Sequence, residues 1–233
     1  MVYEFEPIGI IHSPFKEKFG IPRQPGLVPE VRAELVLSAP YSQPQAVAGL
    51  EGYSHIWIQF LFHQAMRQGW QPMVRPPRLG GNRRVGVFAS RSPFRPNPIG
   101  LSVVRLERVR MENGGVMLDI AGADLLEGTP VLDIKPYLPY VDSIADARSG
   151  FAPVAPDAVL TVRFSDRAQA QVMARSKSVD LRALICRLLE LDPRPAYSDK
   201  AQPERVYGMR LYDFDLRWRV DRDGIEVIEL VPV

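Results

Sequence analysis

The chain has 233 residues, 46% of them hydrophobic and 24% charged, with a formal net charge of +2. This is the composition of an ordinary globular protein, and it excludes a disordered or strongly polyionic chain. No apolar run approaches the roughly 18–20 residues that span a bilayer, the start MVYEFEPIGIIHSPF carries acids where a signal peptide carries bases, and the single cysteine, Cys186, excludes an internal disulfide and fits a reducing cytoplasm.

Residues 4–12 alternate and then run apolar, as a strand does, and stop at Ser13-Pro14. Pro22, Pro25 and Pro29 keep the following segment, KEKFGIPRQPGLVPE, from becoming helix. Residues 31–37 alternate as a strand, and residues 44–50 hold at most one helical turn. The clearest strand is 54–63. Its period of two puts Ile56, Ile58, Phe60 and Phe62 on one face, and His55, Trp57, Gln59, Leu61 and His63 on the other. The first face predicts core; the mixed face suits the wall of a site.

Next comes PPRLGGNRRVGVFASRSPFRPNPIGLS (76–102), which holds Arg78, Arg83, Arg84, Arg91 and Arg95 and no acid. Glycines and prolines at both ends predict a rigid loop, a buried strand over 85–90, and a second rigid loop. Residues 101–111 and 116–120 read as strands joined by an Asn113-Gly114-Gly115 hairpin, and another strand lies within 128–140. There the period puts Asp133, Lys135 and Tyr137 opposite Leu132 and Ile134. Six or seven short strands with little helix between them predict a barrel or sandwich over residues 1–146. Residues 147–157, ARSGFAPVAPD, read as a linker. Residues 158–233 predict a small α+β domain. It has a strand over 159–164 and a helix over 166–175. A second helix carries Leu181, Leu184, Ile185 and Leu188 on one face, capped by Ser178 or Asp180 and ended by DPRPAY at 192–197. Residues 205–220 and 225–230 then form a hairpin. The fold class is mainly β.

Several chemistries fall away. His12, His55 and His63 are dispersed; the last two share a strand face but lie ~26 Å apart at ~3.3 Å per residue, so no metal is expected. Walker A, G-x-G and G-x-S-x-G patterns are all missing, and Cys186 stands alone on a helix. What remains is charge. Residues 52–106 contain eight arginines and no acid, whereas 107–150 are rich in Asp and Glu. A pure arginine block beside Trp57, Trp70, Phe88 and Phe94 matches a nucleic-acid footprint, with guanidinium for phosphate and flat rings for bases. A solvated loop stays open as the other reading of that block, and an Asp133–Lys135 surface ion pair as the other reading of the Asp133, Lys135 and Tyr137 face.

PRQPGL (22–27), FHQ (62–64), the 76–102 stretch and DLLEGTPVLDIKPYLPYVDS (124–143) together closely resemble the TsaA-like (TrmO-type) tRNA methyltransferases. DPRPAY…DFDLRWRV (192–220) resembles the C-terminal extension of the family's bacterial branch. The resemblance implies an S-adenosylmethionine-dependent β-barrel enzyme, dimeric and cytoplasmic, with the cofactor near the subunit interface. The implied reaction methylates N6 of threonylcarbamoyladenosine at position 37 of threonine tRNA. By resemblance, cofactor contacts fall on Pro22, Arg23, Gln24, His63, Gln64, Arg91, Leu101, Leu132, Asp133, Ile134 and Lys135. A sulfonium is not expected among unpaired guanidiniums, so Arg78, Arg83, Arg84 and Arg95 are expected to face RNA, Arg91 the cofactor's carboxylate, and the methyl group the acidic side. Asp133 is the expected proton acceptor, with Lys135 or Tyr137 orienting the substrate. A non-catalytic RNA-binding module and a methyltransferase with another substrate are the alternatives. Residues 147–233 are assigned to tRNA binding.

Overall fold

Alternation along six segments closes an antiparallel barrel, in a computed structural model that describes residues 3–112, 114–157, 160–175, 180–194 and 205–233, apart from the side chains at 67 and 68. The strands are β1 (Gly9–His12), β2 (Arg32–Leu37), β3 (His55–Leu61), β6 (Ile99–Glu112), β7 (Gly115–Ala121) and β8 (Thr129–Pro136), paired in the order β1-β2-β7-β6-β3-β8. Closure leaves no free edge in this ring. Ile11, Leu35, Ile56, Ile58, Leu118, Ile120 and Val131 are fully buried, each stabilising the fold by roughly 1.5–3 kcal/mol through removal from water. Phe62 lies past the end of β3 and is half-buried, edge-on to Phe60 at 5.0 Å.

Three local expectations are corrected. Residues 85–90 are not a buried strand: β5 is only Val85–Gly86, paired with β4 (Met73–Val74), and Val87–Ala89 is a 3-10 turn that buries Val87 but leaves Phe88 73% exposed. Second, strict alternation fails in β8. Gln59 pairs with Asp133 but Phe60 with Val131, so Leu132 is the extra residue of a bulge. Third, residues 205–220 form two strands, β10 (Val206–Leu211) and β11 (Phe214–Asp221), because the chain turns at Tyr212, which adopts φ 49°. With β12 (Gly224–Pro232) and β9 (Val162–Phe164) they make the sheet β10-β11-β12-β9.

Helices α2 (Asp166–Arg175) and α3 (Leu181–Glu190) accompany this sheet, and the expected apolar stripe of α3 is buried. Asp180 accepts a hydrogen bond from the Ala183 amide at 2.9 Å and caps α3; Ser178, the other candidate, lies outside the described residues. Val159, Asn113 and residues 195–197 of DPRPAY also lie outside them.

The C-terminal sheet is not tethered by the linker alone. Residues 13–19 dock on it: Tyr212 N donates to Pro14 O at 2.8 Å, Arg210 N donates to Glu17 at 2.9 Å, and Phe19 stacks on Trp218 at 6.0 Å. Phe15 is 1% exposed and belongs to a hydrophobic core running through both parts. Removing residues 147–233 would therefore uncover Phe15, which makes truncation a poor test of tRNA binding.

Candidate functional site

The loops after β1, β3 and β7 and the loop before β6 converge where β3 ends and β6 and β8 begin. They enclose a cavity of about 510 Å³. The loop after β1 contributes Pro22, Arg23 and Gln24; the 3-10 helix His63–Gln68 contributes His63 and Gln64; the loop before β6 contributes Ser90, Arg91 and Arg95. Leu101, Ser102, Asp124, Leu125 and Leu126 complete it from β6 and the loop after β7. Gly100 is required here. A Cβ on it would meet the Phe60 ring at 2.2 Å, so only glycine lets that ring lie against β6.

A second, larger groove of about 1590 Å³ runs past Arg75, Arg78, Arg84 and Arg148 and the rings of Phe88, Phe94 and Phe151. The two concavities share Arg23, Gln24, Ser90, Arg91 and Pro93 as a common rim. Arg91 donates to the Gln24 side-chain oxygen across that rim, and Arg78 donates to the Val154 carbonyl.

The expected cofactor residues Pro22, Arg23, Gln24, His63, Gln64, Arg91 and Leu101 all line the cavity. Leu132, Asp133, Ile134 and Lys135 do not. The bulge turns Asp133 and Lys135 onto the outer barrel face beside Gln59 and Trp57, where their side chains pair at 2.7 Å and both are about half exposed. Tyr137 packs on Trp57 at 5.9 Å, and Trp57 Nε1 donates to Asp142 at 3.1 Å, pinning α1 (Pro139–Asp142). Those contacts occupy the expected catalytic face structurally. Of the expected RNA arginines, Arg78 and Arg84 line the groove, while Arg83 is exposed outside it. Arg95 turns inward instead. Its guanidinium holds the Val87 and Ser90 carbonyls at 3.2 and 2.8 Å and lies over the Phe88 ring, so it braces the loop.

Electrostatics single out a residue that sequence reasoning missed. Asp124 is the one carboxylate among the described residues lining the cavity, against Lys18, Arg23, Arg91 and Arg95. The buried Ser102 hydroxyl donates to it at 2.6 Å. Burial pushes the Asp124 carboxyl up to about 6, opposed by the Ser102 hydrogen bond, its own amide and the Arg91 charge. Burial also lowers the His63 imidazole and the Arg23 guanidinium. The sequence signal was faint: Asp124 heads the DLLEGTPVLDIKPY motif, but its partner Ser102 lies 22 residues away. His12 pairs with Glu127 at 2.9 Å and His55 with Ser54 at 2.9 Å, and among the described residues no group of three or more metal-ligating side chains could hold an ion.

Comparison with known proteins matches residues 10–143 to the model of the tRNA-methyltransferase O N-terminal domain and residues 157–233 to that of the TrmO C-terminal domain. The chain is 51% identical to a tRNA (adenine(37)-N6)-methyltransferase of Escherichia coli, covering 99% of this chain and 98% of that protein. It is 50% identical to a putative S-adenosylmethionine-dependent methyltransferase of Pseudomonas aeruginosa, again over 99% and 98%. A crystal structure of TrmO from Pseudomonas aeruginosa superposes with a TM-score of 0.83 at 42% identity, over 99% of both chains.

Proposed function

The chain belongs to the tRNA-methyltransferase O family, and on that premise we propose that its cavity holds S-adenosylmethionine and its basic groove the anticodon arm of a tRNA. The enzyme is an S-adenosylmethionine-dependent tRNA (adenine-N6)-methyltransferase acting at adenosine 37. The substrate nucleoside in this reading is threonylcarbamoyladenosine of threonine tRNA, and the compartment is the cytoplasm.

The shared rim carries the proposal. Arg23, Gln24, Ser90, Arg91 and Pro93 line both concavities, so a nucleotide leaving the groove passes directly into the cavity. Reaching a base inside a structured loop requires taking it out of its stack, and the exposed ring of Phe88 beside the arginines suits that task. The cavity fits the cofactor in size and in its lining. Leu101, Leu125 and Phe62 offer apolar surface to a purine, and Arg91 offers a bidentate donor to a carboxylate. When bound, S-adenosylmethionine supplies an electrophilic methyl carbon on a positively charged sulfur.

The chain's own residues then do positioning work. Arg95 stiffens the loop that presents Arg91, and the Gln24–Arg91 hydrogen bond ties that loop to the one after β1. Holding both reactants in line is where most of the rate enhancement arises. In this reading the protein is a homodimer through the outer face of β3 and β6 at the mouth of the cavity, where Leu61, Ile99 and Leu101 line the cavity and Leu101 is 50% exposed. Calorimetric titration with S-adenosylmethionine, followed by mass spectrometry of tRNA nucleosides after incubation with tRNA from a strain lacking the enzyme, tests the reading. Micromolar binding and methylated threonylcarbamoyladenosine are expected. Silence up to millimolar cofactor with intact tRNA binding would leave only an RNA-binding module.

A further inference from the structure

We propose that Asp124, aligned by the Ser102 hydroxyl, is the base that accepts the N6 proton during methyl transfer. This rests on the cavity being the methyl-transfer site. The N6 nitrogen of a carbamoylated adenine is a poor nucleophile, because its lone pair is delocalised into both the purine and the carbonyl. Losing the proton as the new bond forms restores that pair to the nitrogen. The N6 lone pair makes the N–C bond, the C–S pair stays with sulfur, and the proton passes to the Asp124 oxygen. The products are a neutral methylated base, a neutral thioether and a carboxylic acid that returns its proton to solvent.

Three observations converge on Asp124. Among the described residues it is the sole carboxylate lining the cavity, whereas Asp133 lies outside and is held by Lys135. Ser102, 2% exposed, donates to Oδ1 at 2.6 Å, which fixes the carboxylate plane. The charged and titratable groups around it are otherwise engaged or basic. Arg91 donates to Gln24 and Arg95 to backbone carbonyls, both from the loop before β6. Arg23 donates to Arg194 O and Lys18 to Gln64 O, both from the loop after β1. His63 follows β3 and is made less basic by burial. A carboxylate raised to about 6 is a stronger base than an ordinary aspartate, yet still ionised at neutral pH.

The test combines three readouts on the full-length protein. Carboxyl-carbon NMR of the substrate-free protein should show Asp124 titrating near pH 6, with the midpoint moving upward in Ser102→Ala, which loses the bond that favours the ionised form. Calorimetry should show Asp124→Asn binding S-adenosylmethionine within about threefold of wild type. Single-turnover methylation by Asp124→Asn should fall about 10²–10⁴-fold and lose the acidic limb of its pH profile. In Ser102→Ala that limb should shift to higher pH in step with the NMR midpoint, which keeps the test decisive if Asp124→Asn does not fold. Turnover of Asp124→Asn within fivefold of wild type, or an unmoved limb in Ser102→Ala, overturns the proposal. Loss of cofactor binding in Asp124→Asn overturns it too, since Asp124 would then be a cofactor ligand. If wild type itself does not bind S-adenosylmethionine, the reading of the cavity falls instead.

Discussion

Replacing Arg78 and Arg84 by alanine removes two of the six arginines that line the groove, the others being Arg23, Arg75, Arg91 and Arg148. Single-stranded nucleic acid releases about 0.7 counterion per phosphate neutralised. If Arg23 and Arg91 are reserved for the cavity, the remaining four predict a log–log salt slope of about −2.8; with all six it is about −4.2. Between 50 and 200 mM salt the affinity for tRNA should therefore fall about 50- to 300-fold. The double variant should reduce the slope by about 1.4 and weaken binding at 50 mM salt, while S-adenosylmethionine affinity stays unchanged. Arg105→Ala is the control, because Arg105 belongs to the same acid-free block but is exposed on β6 and is not among the residues that line the groove. Fluorescence anisotropy with end-labelled tRNA measures all three proteins. A flat salt dependence, or equal slopes in wild type and the Arg78/Arg84 variant, refutes the assignment of the groove to RNA.

Asp124 also makes a stability prediction. Its folded-state pKa of about 6 lies above the ordinary 3.8, so the folded state binds the proton more tightly. That contribution is complete below about pH 4 and lost as pH rises through 6, with a ceiling of about 3 kcal/mol for two pKa units, reduced by solvent on the cavity side. Urea denaturation should show Asp124→Asn gaining on wild type from pH 4.5 to 7.5; a pH-independent difference contradicts the burial argument. Gly100→Ala should cost about 1–3 kcal/mol by forcing the new methyl into the Phe60 ring, and Phe60→Leu in the same chain should recover part of it. Thermal melts of wild type and both variants read this directly. If the protein is the homodimer proposed above, Leu101→Glu should give a monomer in light scattering, and an unchanged dimer mass would remove the outer face of β3 and β6 from consideration.

Much of the fold was written in local pattern. The alternation of 54–63 gave Ile56 and Ile58 as core, the heptad-like stripe of α3 gave its buried face, and the proline-bounded arginine block gave the rigid basic rim. Periodicity succeeds there because each side chain's direction follows from its own backbone. The motifs likewise carried the family and seven of the residues that line the cavity. Where pattern failed, a distant segment had intervened. The β8 bulge opposite Gln59 and Phe60 set Asp133 and Lys135 on the outer face, and the two inward hydrogen bonds of Arg95 withdrew it from the basic groove. The turn at Tyr212 split one long alternating segment into two strands. Barrel closure brought Ser102 and Asp124 together at 2.6 Å and left Asp124, the one lining carboxylate among the described residues, in a cavity also lined by Lys18, Arg23, Arg91 and Arg95. Composition and spacing determined that this chain is mainly β, a barrel or a sandwich, with a basic arginine block, and the resemblance of its motifs implied the barrel. Which acid enters the cavity was decided by tertiary structure, because a carboxylate's basicity depends on the burial and hydrogen bonds that only long-range packing creates.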